Sequence, residues 1–167
     1  MTKKNTSYRA RSVKNAEVMP WENEHLMDED TDEESSVVRE GTEPAVLSYD
    51  LEERTAKFGE AVIRFLKLVP LGPRTNRLID QLTGCGTSVG ANYVEADDAI
   101  SKKDFIKIIG ICRKEARESK FFTRMIATAC PDLRDAAALL WREARELHLI
   151  FSRIRRTAQK NLAASEQ

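Results

Sequence analysis

Three glutamates, Glu95, Glu115 and Glu118, fall in helical phase beside polar positions at Asn92, Ser119 and Thr123. Carboxylates turned into a helix bundle can hold a pair of metal ions, but that chemistry needs a Glu-x-x-His motif from each of two helices. The chain has two histidines, His25 and His148, and the residue three before His148 is Arg145. The ligand count fails. The expectation is instead a hydrogen-bonded polar network of Asn92, Glu95, Glu115 and Glu118 that fixes register or oligomer state. His148 follows Leu147 beside an apolar stripe and reads as a boundary histidine; alone it assembles no Ser/His/Asp or Cys/His arrangement. Cys85, Cys112 and Cys130 are odd in number and lack C-x-x-C spacing, so they read as reduced, small core residues. No catalytic, cofactor-binding or metal-ligating residue is assigned, and the chain is not expected to be an enzyme.

Two other patterns could carry chemistry. Gly84-Cys85-Gly86-Thr87-Ser88-Val89-Gly90 puts three glycines inside a predicted helix, at about 1 kcal/mol each against alanine. The spacing misses the dinucleotide fingerprint by one residue, follows no strand and lacks a P-loop ending. A phosphate cradle would also need amides freed at a helix start, so close approach of a neighbouring backbone is expected. The second pattern is basic. Lys103, Lys107, Lys114, Arg117 and Arg124 share one helix face, and Arg153, Arg155, Arg156 and Lys160 cluster further on. A solvated face is the ordinary reading of such a stripe. Because the interleaved acids Asp104, Glu115 and Glu118 mostly occupy other faces, it could also bind phosphates, with Lys103, Lys107, Lys114, Arg117, Arg124, Arg153 and Arg156 as the candidate nucleic-acid contacts. It carries no base-reading signature.

These residues are positioned by four runs of alternating three- and four-residue apolar steps, each forming a single stripe on a helix. The first run is Leu51, Thr55, Phe58, Val62, Phe65 and Val69, and the second is Leu78, Leu82, Cys85, Val89, Asn92 and Ala96. The third is Phe105, Ile109, Cys112, Ala116, Ser119, Thr123 and Ile126. The fourth is Leu133, Ala137, Leu140, Ala144, Leu147, Phe151, Ile154 and Ala158. Asp50 and Ser101 are candidate N-caps, Pro70-Leu-Gly-Pro73 separates the first two helices, and Pro131 suits the first turn of the fourth. Helices of about 20–28 residues with short links predict an antiparallel, up-down-up-down four-helix bundle, all-α, over residues 47–160. A flexible C-terminus is expected over 161–167. Ile108, Ile111, Phe122 and Met125 form a second apolar stripe on the third helix, more apolar circumference than one bundle needs, which points to self-association. Trp141, one residue past its seam, suits the bundle edge or another subunit.

With 167 residues the chain has room for one domain and a tail. Its 27 Lys and Arg balance 27 Asp and Glu, but unevenly. Residues 1–14 carry five bases and no acid, and residues 15–46 carry eleven acids against Arg39. Residues 47–167 hold 21 bases and 16 acids. Residues 1–46, poor in large aliphatics, read as a disordered acidic leader in which Trp21, Leu26 and Met27 form an incidental apolar cluster. Without a signal core or an apolar run long enough for a membrane span, the chain is expected in the cytosol and off the membrane.

Thr87-Ser88-Val89-Gly90-Ala91-Asn92-Tyr93-Val94-Glu95-Ala96, then Ser101-Lys102-Lys103-Asp104-Phe105, then Lys114-Glu115-Ala116-Arg117-Glu118 together resemble a known family. It is the four-helix-bundle family first noticed as reading frames in the intervening sequences of bacterial large-subunit ribosomal RNA genes. That family's pattern is a Ser-Val/Ile stretch leading to Asn-x-x-Glu, then Ser-x-x-Asp/Glu-Phe, then a Glu pair three apart; the likeness covers about residues 48–160. It implies a cytosolic bundle that assembles as a ring-like homo-oligomer, often a pentamer. Related bundles are accessory subunits of diversity-generating retroelements, where they contact reverse transcriptase and nucleic acid. The family has no established catalytic residues to carry over. The expected partners are therefore further copies of the chain, RNA and a partner protein, with no cofactor. The acidic leader and the extra glycines depart from the family's pattern.

Overall fold

The computed structural model describes residues 18–22 and 50–166. The chain divides into two compact units, Met1–Thr31 and Asp32–Gln167. In the first unit the described residues form a turn, with the Met19 amide donating to Glu22 Oε2 (3.1 Å) and the Glu22 amide to the Met19 carbonyl (2.9 Å). Met19 and Trp21 are buried. Leu26, Met27, most of the expected leader and the acidic block lie outside the described residues.

In the second unit the described residues form four helices and no strand: α1 (Leu51–Leu66), α2 (Asn76–Asp97), α3 (Lys102–Ala129) and α4 (Arg134–Ser165). Asp50 Oδ1 accepts from the Glu53 amide (2.9 Å) and Ser101 Oγ from the Asp104 amide (3.1 Å), so both expected caps occupy first-turn donors. The link from α1 to α2 is tied down by Asn76 Oδ1, which accepts from the Gly72 amide at 2.8 Å. Helix lengths depart from expectation at both ends of the chain. α1 has 16 residues because Pro70 forces the chain out of helix and Val69 packs from the turn beyond. α4 has 32 and runs to Ser165, through most of the expected flexible end. Pro131 opens a short 3₁₀ turn, Pro131–Leu133, and α4 starts after it.

α1 packs on α2, α2 on α3 and α3 on α4, and a looser contact between α4 and α1 closes the bundle. Phe58, Val62, Leu82, Val89, Ile109, Ile126, Leu147 and Phe151 are fully buried, and they come from all four predicted stripes. Each such side chain contributes about 1.5–3 kcal/mol by leaving water. Stripe positions near the bundle's ends, Leu78, Phe105, Leu133, Ile154 and Ala158, are only half-buried. On the bundle's open flank Arg54 grips Glu143 with two bonds, Nε–Oε1 at 2.6 Å and Nη2–Oε2 at 3.0 Å.

The glycine run is continuous α2 helix, so its amides are occupied by the helix and cradle nothing. A Cβ on Gly86 would stand 2.7 Å and 2.9 Å from the two methyls of Val62, and one on Gly90 would stand 3.4 Å from the Thr55 backbone. Close approach thus accounts for Gly86, by a side chain where a backbone was expected, while a Cβ on Gly90 would make an ordinary contact. Gly84 has nothing within 4 Å and is not explained by packing.

Candidate nucleic-acid interface

α3 is a single, uninterrupted 28-residue helix started by the Ser101 cap. Its buried face holds Ile109, Cys112, Ala116, Ser119, Thr123 and Ile126. Lys103, Lys107, Lys114, Arg117 and Arg124 stand on the opposite side, and all five are exposed. From Lys103 to Arg124 the stripe is about 31 Å long, within an arc of about 100°.

α4 runs back along α3 and brings its basic cluster to the first half of that stripe. Arg155 lies over Gly110, its Nε 3.3 Å from where a Cβ would be. At the same end Lys103 Nζ meets Glu166 Oε1 at 3.1 Å. Along the axis of the α3–α4 pair Lys103, Lys107, Arg153 and Arg156 therefore lie toward one end, Lys114 is midway, and Arg117 and Arg124 extend toward the other, although Arg153, two residues from Arg155, points away from α3. Lys114 pairs with Glu118 at 3.4 Å one turn along. Both pairs are exposed and contribute little. Lys107, Arg117 and Arg124 make no ion pair among the described residues.

The four residues expected to share a polar network do not join. Asn92 Nδ2 donates to the Ser88 carbonyl of its own helix (2.7 Å), and Glu95 is exposed. Glu118 turns to Lys114. Glu115 is half-buried, and its carboxyl is raised above the usual range, first by burial, then by the neighbouring charge of Glu118, with Lys114 opposing. The physical reason is reach: a helical Asn can satisfy itself on the carbonyl four residues back. Buried polar contact runs instead through Ser119, whose Oγ donates to the Glu115 carbonyl (2.9 Å) and lies 3.4 Å from Cys85 Sγ. Burial pushes the Cys85 thiol up to about 11 and that of Cys112 to about 12, so neither is a thiolate nucleophile near neutral pH. Among the described residues no group of three or more His, Cys, Asp or Glu could hold a metal ion.

The second apolar stripe on α3 is largely consumed within the chain: Ile108 is buried, and Ile111, Phe122 and Met125 are half-buried. In the second unit the large apolar side chains left to solvent among the described residues are elsewhere, at Ile63, Leu68, Leu71, Val94, Ile100, Phe121 and Leu139. Trp141 is 3% exposed, with Lys120 Nζ 5.1 Å from its ring centroid, so of its two expected settings it takes the inner one, packed at the edge of its own bundle. Sequence reading missed Lys120 on this seam. Its only signal was phase, since Lys120 lies one residue from the core position Ser119.

No known family profile and no curated protein matches the chain. Among solved structures it is similar to a protein of unknown function from the S23 ribosomal protein family of Bacteroides thetaiotaomicron, with 23% identity and a TM-score of 0.58. The match covers 62% of this chain and 96% of the other, and it shows a shared helical fold. No helix among the described residues is long and apolar enough to cross a membrane.

Proposed function

We propose that this chain is a non-enzymatic, homo-oligomeric accessory protein of the cytosol that binds RNA, of the type found in ribosomal RNA intervening sequences. The observation that carries the reading is the α3 stripe: five exposed cations in one helical phase, three of them without an ion-pair partner among the described residues. Guanidinium and ammonium groups so placed take up phosphates by releasing counterions, without reading bases. In support, the structural neighbour comes from a ribosomal protein family, and the motifs from Thr87 to Glu118 carry a resemblance to proteins of ribosomal RNA intervening sequences. A ring of copies, a pentamer in the family's manner, repeats a modest monomeric stripe into a surface that binds by avidity.

The test is the salt dependence of binding to a structured RNA with single-stranded flanks. Affinity should fall steeply with salt, with a slope of roughly −0.7 to −0.9 per phosphate contacted, and combined Lys107→Glu, Lys114→Glu and Arg117→Glu should flatten it by about 2–3. Binding that is undetectable or indifferent to salt overturns the reading. Leu68 and Leu71, 59% and 83% exposed at the α1–α2 link, favour a second reading in which the bundle docks a partner polypeptide such as a reverse transcriptase. That reading requires partner binding that survives the α3 charge reversals and is lost on Leu68→Ser with Leu71→Ser.

A further inference from the structure

Phe121 is out of place on the α3 stripe. It stands seven residues after Lys114 and fourteen after Lys107, on the same line of the helix, and it is 56% exposed. Among the described residues it is the one aromatic side chain in the exposed class. Arg117 comes one turn before it and Arg124 one turn after, both exposed and neither ion-paired among the described residues. The ring is also braced. Phe122, itself half-buried, meets Phe121 edge-on, with centroids 5.2 Å apart and planes at 81°. A braced, solvent-facing ring between two free guanidinium groups has a cost in exposed apolar surface that the fold does not require.

We propose that Phe121 is a stacking platform for an unpaired base of single-stranded or looped RNA, with Arg117 and Arg124 taking the flanking phosphates. This deepens the RNA reading and rests on it. Charge decides between the occupants of this face. A second copy related by a two-fold axis would oppose Arg117 and Arg124 with their own equivalents, and a ring neighbour, which brings a different face, would have to bury both guanidinium groups against matching carboxylates, whereas a polyanion carrying flat rings matches both features of the patch. Shape decides between kinds of RNA. In an A-form duplex the base faces are closed inside the stack and the major groove is too deep and narrow for a helix ridge, so only unpaired bases reach the ring. Stacking tolerates any base, in keeping with a stripe that has no base-reading signature.

The experiment uses the full chain, an oligouridine and a fully paired RNA duplex. Phe121→Leu keeps apolar bulk but offers no flat face, and it should weaken oligouridine binding about 5- to 150-fold while leaving the salt slope unchanged. Phe121→Trp should restore it, the duplex should bind more weakly and be indifferent to either change, and ultraviolet cross-linking of oligouridine should mark the peptide Phe121–Arg124. If Phe121→Leu binds oligouridine like the parent while the charge reversals still flatten the salt slope, the stacking role is overturned and the phosphate reading stands. If the parent binds no RNA, both fall together. If Phe121→Leu lowers the native mass in sedimentation, the ring holds a sister copy and the stacking assignment is overturned.

Discussion

The bundle's first seam and its last are held by opposite means. Between α1 and α2 the contact is made by what is missing: Gly86 lets Val62 stand where a side chain would be. Between α3 and α4 the contact is made by long side chains, with Lys120 over Trp141 and Arg155 laid across Gly110. Backbone-to-side-chain packing of the first kind is tight and leaves no functional group at the surface. Packing by amphipathic stems draws Lys120 in to 5% exposure and leaves Arg155 half-buried, and the exposed cations of the α3 stripe flank the seam they form. In this molecule structural economy and surface chemistry have been assigned to different pairs of helices.

The largest expected effect belongs to the side-chain seam. Trp141→Ala should destabilise the protein by about 3–5 kcal/mol, the usual cost of truncating a buried aromatic, while Trp141→Phe should lose much less because it keeps a ring over which Lys120 can lie. Urea midpoints measured at unchanged slope give the comparison. An alanine cost under about 1 kcal/mol would mean that α3 and α4 are held chiefly elsewhere.

The glycine seam should respond more weakly and with a change of sign along the run. Gly86→Ala places a methyl 2.7 Å from Val62, a stiff β-branched side chain that is fully buried, so α1 and α2 must part. Overpacking outweighs the gain in helix propensity, for a net loss of about 2 kcal/mol. Gly84→Ala meets open space and should gain about 1 kcal/mol. Two equal shifts in melting temperature would erase the distinction.

The same contrast explains what could be read from the sequence. Apolar stripes, caps and the proline link were legible because they are local and periodic; every fully buried residue named above from Phe58 to Phe151 lies on a predicted stripe. The basic stripe was legible for the same reason. Gly84 and Gly86 differ by two residues in sequence and differ entirely in surroundings, a matter of which side of α2 meets α1. Nor could spacing show that Asn92 would turn back to Ser88, that Ile111 and Met125 would be half covered, or that Lys120 would reach Trp141. Each of those depends on helix rotation about its own axis, which a single-stripe pattern fixes only to within a residue.

The smallest effect separates the two shoulders of α3. The shoulder toward α4 gathers bases. The other, where Ser119 meets Cys85 of α2, carries Glu115 near Glu118. Glu115 is raised from its ordinary value of 4.5 by burial, then by Glu118, with Lys114 opposing. A carboxyl raised on folding holds its proton more tightly in the native chain than in the unfolded one. Between 4.5 and the raised native value the folded protein therefore binds more protons, and stability declines as pH rises through that window. Glu115→Gln removes the titrating group. It should match the parent near pH 4 and exceed it near pH 7, by only about 1 °C in melting temperature because the half-buried carboxylate is partly screened by water. A variant that gains equally at both pH values would show that side-chain shape is responsible. One that loses stability near pH 7 would show that the ionised carboxylate is held by an attraction, placing a structural charge on the acidic shoulder as well.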